Sequence, residues 1–235
     1  MKIGIINTGN IGTILAVAWI SKGHDIMLSK DTHPEQLQER IKKFGLEYGL
    51  GEAYRDRFRY GSLAEAAQFG DVVVFSPYFP RLAQVLKDLQ SSGVSLAGKI
   101  VIDTMNPSIV DAQFNHSLDT EYMERTSTTE DIQKTFPEAI IFKAFNTMPA
   151  PLLDARKWVS RRGPVQIFVG GKSSSAPTVR KLIEDAGFRP AFAGYDLKAA
   201  RMMEGLSILF HGLLDNEYKG DFNFSFDIIK PKGDD

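Results

Sequence analysis

The sequence predicts an α/β fold, a doubly wound and mostly parallel sheet of about eight strands followed by a C-terminal helix. Three observations carry this expectation. Short apolar runs recur along the chain with helix-length segments between them. Several of the runs are apolar at every position, as in strands covered by helices on both faces. The first run also leads through a glycine turn directly into an apolar helix.

In order, strands are expected at Lys2–Asn7, Asp25–Ser29, Arg57–Tyr60, Val72–Ser76, Ile100–Asp103, Ile140–Phe145, Val165–Val169 and Pro190–Phe192. Helices are expected at Asn10–Lys22, Pro34–Tyr48, Leu63–Gln68, Arg81–Gln90, Thr128–Thr135, Ala150–Trp158, Ala176–Ala186 and Leu197–Asn216. Residues 49–56, 107–126 and the tail from Glu217 show no clear pattern. A chain of 235 residues is long enough for one large core. Residues 1–195 therefore read as one α/β domain, and residues 196–235 as a helix and tail packed on it or on a second subunit.

Composition removes several classes of function. With a formal net charge of -1 there is no basic excess to offset a phosphate backbone, so no nucleic-acid partner is expected. The basic runs at Lys42-Lys43, Arg55-Arg57-Arg59 and Arg161-Arg162 are short and read as solvated faces. Cysteine is absent, which excludes disulfides, thiolate nucleophiles and thiolate metal ligation. His24, His33, His116 and His211 lie far apart and none has metal-ligand spacing, so no metal is expected. The longest apolar stretch, Ile14–Ile20, falls well short of the roughly twenty residues that span a bilayer. With no signal-peptide pattern at the start, no membrane contact and a cytoplasmic location are expected.

The chemistry concentrates at strand ends. Asn7-Thr8-Gly9-Asn10-Ile11-Gly12 stands where the dinucleotide fingerprint G-x-G-x-x-G of a Rossmann-like domain falls, with Asn7 in place of the first glycine. Asparagine tolerates unusual backbone angles better than other non-glycine residues. Gly9 would let the backbone approach a pyrophosphate, Gly12 would allow close helix packing, and the helix N-terminus would offer amides to phosphate. At the end of the second strand, the hydroxyl of Ser29 and the ammonium of Lys30 suit a 2′-phosphate, and hence NADP. Asp31 would repel that phosphate if turned into the site, or else simply starts the next turn.

Three further strand ends supply polar groups to the same rim: Ser76-Pro77-Tyr78, Asn106 and Asn146-Thr147. Ser76 and Tyr78 are placed to flank the nicotinamide ribose, although each of these residue types also favours turns for local reasons. No Ser-Lys-Tyr set or His-carboxylate couple is evident, so no catalytic acid or base is expected.

At these residues the chain resembles the F420-dependent NADP oxidoreductase family, whose members move hydride between NADPH and a deazaflavin. That family shares its dinucleotide domain with the membrane ferric reductases. The likeness runs through Lys2–Ser29, Asp71–Tyr78, Lys99–Pro107, Thr128–Pro149 and Val165–Leu209. Its most specific segment is Lys143-Ala144-Phe145-Asn146-Thr147, and it includes Arg201 and Glu204. The resemblance implies that NADP is held by the fingerprint turn and the residues after the second strand. It places Ser76, Tyr78, Asn106, Asn146 and Thr147 near the nicotinamide, with F420 or a flavin as co-substrate. Asn7 departs from the family's usual glycine, and Lys30-Asp31 from its common serine and arginine.

The expected function is transfer of hydride between NADPH and a small redox acceptor such as a deazaflavin or flavin, which needs stacking and orientation more than a proton donor. A non-catalytic NADP(H)-binding sensor or interaction module is the alternative. Reduction of an imine or β-hydroxyacid, as in enzymes that add a long helical domain, is left too little chain after the α/β unit. The apolar residues of Leu197–Asn216 suggest a homodimer, and Arg201 and Glu204, three apart, are placed to pair with each other. Phe222, Phe224 and Phe226 alternate with polar residues as in a half-buried strand that covers a pocket, joins a sheet edge or meets another subunit.

Overall fold

The computed structural model describes residues 1–33, 35–47, 49–51, 54, 57–112, 116–158 and 164–228. Pro34 and Tyr48, the expected limits of the second helix, lie outside these residues, as do Arg55 and Arg161-Arg162 of the basic runs.

Ten strands and eight α-helices are described. In chain order they are β1 (Lys2–Ile6), α1 (Asn10–Ser21), β2 (Asp25–Ser29), α2 (Glu35–Glu47), β3 (Phe58–Gly61), α3 (Leu63–Phe69), β4 (Val72–Phe75), α4 (Leu82–Ser91) and β5 (Ile100–Asp103). There follow β6 (Ser108–Val110), β7 (His116–Leu118), α5 (Thr120–Arg125), α6 (Thr128–Thr135), β8 (Ile140–Ala144), β9 (Val165–Gly170), α7 (Ala176–Asp185), β10 (Arg189–Phe192) and α8 (Ala199–Asn216).

Eight strands form one sheet in the order β10-β9-β8-β5-β4-β1-β2-β3. The strands from β3 to β8 are mutually parallel, whereas β9 lies antiparallel to β8 and β10 follows the direction of β9. The chain leaves β1 toward β2 and β3, then returns to β4 on the other side of β1. In such a sheet the crevice beyond the carboxyl ends of β1 and β4 is where ligands bind. The fold is the doubly wound, Rossmann-like one expected.

Side chains alternate between two buried layers, as the period of a strand requires. Ile3, Ile5, Val72, Val74 and Ile102 face α1, α2 and α7, while Ile6, Val73, Phe75 and Val101 face α3, α4 and α6. Helix α1 is apolar all round because it is covered all round: every residue from Gly12 to Ile20 is buried. Its Trp19 meets Phe145 edge-on at 5.9 Å and donates from Nε1 to the Leu182 carbonyl at 2.8 Å. On the opposite layer α3 lies so close to β1 that a Cβ on Gly4 would overlap the Ala66 carbonyl.

Three segments differ from expectation. Ala150–Trp158 is two short 3₁₀ turns, Ala150–Leu153 and Ala155–Lys157, because Asp154 is extended between them and its carboxylate accepts from the Arg156 amide. Residues 107–126 hold the β6–β7 hairpin and α5, elements too short to leave a periodic signature. The Phe222–Phe226 alternation joins no strand: Phe224 stacks on Phe210 at 4.3 Å and on Tyr218 at 4.1 Å. Asp227 then fastens the tail by accepting from the Val165 amide at 2.9 Å and pairing with Arg189 at 2.7 Å. Among the described residues, no helix is long and apolar enough to cross a membrane.

Gly4→Ala should lower stability by about 1–3 kcal/mol, the usual cost of adding volume to a well-packed interior. Urea denaturation checks this, and an unchanged midpoint would show that α3 can move away without penalty.

Candidate functional site

The site begins where β1 ends. Asn7 is held at φ 56°, and the turn is fastened to β2, with the Thr8 amide donating to the Ser29 carbonyl at 2.7 Å. The Ser29 hydroxyl donates to the Ile5 carbonyl at 2.8 Å and accepts from the Asn7 amide at 3.3 Å. Ser29 is fully buried by these contacts, so its hydroxyl braces the turn from beneath rather than facing a phosphate.

The two glycines of the turn differ in kind. At Gly12 a Cβ would stand 3.0 Å from Ile5 and 3.2 Å from Thr8, so glycine there lets α1 settle on β1. Gly9, by contrast, has φ -98°, and a Cβ would meet nothing closer than the Ser76 carbonyl at 3.7 Å. Neither backbone angle nor packing calls for glycine at position 9. It precedes the first turn of α1, which carries no acidic residue and no side-chain cap. Those amide donors face the crevice, where the helix dipole favours an anion.

At the end of β2, Lys30 is partly exposed and Asp31 is engaged by Arg81, whose Nη2 and Nε lie 2.6 and 3.1 Å from one carboxylate oxygen. Arg81 comes from the turn after β4, and Arg40 of α2 donates to the Asn10 side chain at 2.9 Å. Arg81 thus reaches the end of β2, beside Lys30 in the chain, while Arg40 reaches the start of α1.

Toward the other side lies a cavity of about 590 Å³. Of the residues expected from the sequence, Gly9, Asn10, Ile11, Ser76, Pro77, Tyr78, Asn106, Asn146 and Thr147 line it. Asn7, Thr8 and Gly12 form the base of the turn, and Lys30 stands apart at the β2 end. The remaining walls include Met105, Met148, the β6–β7 hairpin and α8, with Phe222 of the tail also reaching the cavity. Two asparagines lock its floor. Asn106 donates to the Asn146 carbonyl at 2.8 Å, and Asn146 donates from Nδ2 to Asn106 Oδ1 at 2.8 Å and to the Met203 carbonyl at 3.0 Å. Asn146 Oδ1 is left buried without a partner among the described residues. The chain reaches this position through Phe145, held at φ 64°.

Beneath the floor is a buried ionic cluster. Lys143 Nζ donates to Asp103 at 2.9 Å, Glu204 at 2.6 Å and Thr128 at 2.8 Å, all with fully buried side chains. Thr128 and Thr129 each also donate to Asp103. Burial works against the Lys143 charge, but Asp103 and Glu204 outweigh it and hold the ammonium above its ordinary range. Burial pushes the Glu204 carboxyl up, with Lys143 opposing. Arg201 does not pair with Glu204, as their spacing suggested, but with Glu130 at 2.7 Å. The residues missed from sequence are Arg81, Arg40, Phe210 and His211. No local spacing marks them, because each reaches the site through the packing of a distant element.

This fold and this crevice define a protein of the doubly wound, Rossmann-like class. Residues 2–107 match the family described as NADP oxidoreductase, coenzyme F420-dependent, in agreement with the resemblance read from the sequence. A structure from Arthrobacter sp. FB24, described as a candidate F420-dependent NADP-reductase, aligns with a TM-score of 0.78 at 24% identity, covering 98% of this chain and 100% of that one. The hypothetical protein SMa0349 from Sinorhizobium meliloti aligns with a TM-score of 0.66 at 24% identity over 85% of this chain and 88% of its own. The imine reductase from Aspergillus terreus, solved in complex with NADPH4 and dibenz[c,e]azepine, gives a TM-score of 0.58 at 17% identity. That alignment covers 91% of this chain but 63% of the imine reductase. At these identities the likeness to the solved structures is one of fold. No curated protein matches the chain.

Lys143→Met should cost about 3–5 kcal/mol, because it leaves Asp103 and Glu204 buried without their cation. Adding Asp103→Asn and Glu204→Gln should recover part of that loss in urea denaturation. A triple variant no more stable than the single one would show that packing of the lysine stem, not charge, carries the effect.

Proposed function

We propose that the protein is an NADP(H)-dependent oxidoreductase that passes hydride between the nicotinamide and a small planar acceptor, such as a deazaflavin or flavin. The observation that carries this reading is Gly9, a glycine that neither conformation nor packing explains. Its missing side chain leaves the α1 amides open to close approach by a pyrophosphate. From there the cavity runs past Ser76, Asn106 and Asn146, so a nicotinamide bound at the β1–β4 crevice would lie along those residues. The family matched by residues 2–107 and the NADPH4 complex of the imine reductase support the same nucleotide.

Arg81 favours NADP over NAD. A bare Asp31 would repel a 2′-phosphate, but its charge is already countered by Arg81, and Lys30 adds a further cation beside it. Isothermal titration should show NADPH binding at least tenfold more tightly than NADH. Arg81→Ala should erase about tenfold of NADPH affinity, in line with the 1.5–3 kcal/mol of a typical charge-assisted bond, and leave NADH unchanged. Equal affinity for both nucleotides would sink the NADP preference, and binding of neither would sink the whole reading.

The same reading includes a homodimer. Helix α8 turns Met202, Ile208 and Leu209 to solvent although its other face is already packed on the sheet, and a helix apolar on both sides calls for cover. The outward face has shallow points at Gly205 and Gly212, where a Cβ would meet nothing, so a second copy of the helix fits against it. Light scattering should give twice the 26.2 kDa chain mass, and a monomer at micromolar concentration would refute it.

A further inference from the structure

Of the three phenylalanines that alternate in the tail, Phe222 is the one that lines the cavity. Phe224 is committed to packing between Phe210 and Tyr218, whereas Phe222 keeps 41% of its surface exposed and its ring centre lies 6.3 Å from that of Phe210. The chain on either side of Phe222 is pinned. At the near end α8 stops in a left-handed turn, with Lys219 at φ 51°, Gly220 at φ 88° and the Gly220 amide donating to the Leu214 carbonyl at 2.9 Å. Asp221 then closes a turn around Phe222 by accepting from the backbone and side-chain amides of Asn223, at 2.9 and 2.7 Å. At the far end Asp227 ties the chain to the starts of β9 and β10. One of its carboxylate oxygens accepts from the Val165 amide, and both accept from Arg189 Nη2 at 2.7 and 2.8 Å. The tail is thus a strap held at two ends, with one aromatic ring at the cavity between them. Phe224 and Asp227 fasten the strap without that ring, so packing does not account for it.

The cavity's other property is its lack of formal charge. Among the described residues, its lining contains no aspartate, glutamate, lysine or arginine. A phosphate or carboxylate drawn inside would lose its hydration and meet no cation, whereas the surfaces of Met105, Met148, Phe210 and Phe222 suit a flat apolar body. Resting on the proposed function above, we infer that Phe222 selects the hydride acceptor by stacking on an uncharged flavin-type ring, while any charged tail of that molecule stays outside the strap. Asp227 is a positioning residue that acts through Phe222 by keeping the strap in place. An aromatic ring suits this task because ring against ring fixes a plane, which aliphatic cover does not, and hydride transfer depends on the orientation of two planes.

The test reads binding rather than turnover, and so stands apart from the hydride step. Protein saturated with NADP⁺ is titrated into riboflavin and into FMN while the anisotropy of flavin fluorescence is followed. Both should bind, with dissociation constants within about threefold of each other, since the phosphate of FMN remains in water. Phe222→Leu keeps apolar bulk but removes the ring and should weaken riboflavin binding about fivefold, within the range of one aromatic pair, whereas Phe222→Trp should stay within about twofold of wild type. Asp227→Ala should weaken riboflavin binding about threefold, but should add nothing in the Phe222→Leu background, where the strap has no ring to position. NADP⁺ affinity should be the same in all four variants, which a general loss of structure would not allow. Undiminished riboflavin affinity in Phe222→Leu overturns the inference. An equal loss from Asp227→Ala with and without the ring overturns the role of Asp227, and a clear preference for FMN overturns the placing of charge outside. Absence of flavin binding to the NADP⁺-loaded protein overturns the acceptor class with the nucleotide reading left standing, whereas failure to bind NADP⁺ overturns the proposed function and this inference with it.

Discussion

The contact on which the site depends is the buried grip of Lys143 on Asp103 and Glu204. One ammonium joins the ends of β5 and β8 to the second turn of α8, and Thr128 brings in the start of α6. Each of the three charged residues is followed within a few positions by residues that line the cavity: Thr104 to Asn106 after Asp103, Asn146 and Thr147 after Lys143, and Leu206 and Ser207, then Phe210 and His211, after Glu204. Dehydrating three ionisable groups is expensive, and an apolar cluster of the same shape would be at least as stable. What the charges add is selectivity among arrangements. A slip of α8 by one residue would leave a cation and two carboxylates without partners, whereas an apolar contact would tolerate it. The Arg201–Glu130 pair fixes the same α8–α6 contact from the outer side.

Asn7 at the end of β1 and Phe145 at the end of β8 share a second constraint. Both adopt positive φ without being glycine, and both occur where a parallel strand must turn abruptly into the crevice. For Asn7 the cost is small, since asparagine visits this region readily. For a phenylalanine it is of order 1–3 kcal/mol, and such a residue persists only where its surroundings leave no alternative. Phe145 is fully buried against Trp19, so its ring is held in the core while its backbone turns Asn146 toward the cavity. Packing on one side of the peptide thus fixes polar geometry on the other.

The sheet was largely legible because strands buried on both faces must be apolar throughout. Asp25–Ser29, Ile100–Asp103 and Thr128–Thr135 coincide with their expected limits at both ends. The glycine turn was legible for a similar reason, since the sequence of a strand, a turn and a helix is local. What sequence could not supply were side-chain directions and distant partners. Ser29 was expected to face a phosphate, yet Leu28 and Ser29 are both buried at the strand's end, where simple alternation breaks down. Arg81 meets Asp31 across fifty residues of chain, and Lys143 meets Glu204 across sixty-one, separations that no periodicity encodes. His211 showed only an absence of metal-ligand spacing; its place on the cavity wall comes from how α8 docks.

The cavity is divided unevenly along the chain. The segment that matches the family model ends at residue 107, just past Asn106, while the aromatic wall of Phe210, His211 and Phe222 comes from the last elements described. Under the proposed function, most of the part that would grip a nucleotide and the aromatic wall that would face its reaction partner are therefore encoded in separate stretches of gene. Selection can rewrite the second without disturbing the first. Relatives that share the opening hundred residues need not share an acceptor, and a survey of their chemistry would be better sorted by the final helix than by the glycine turn.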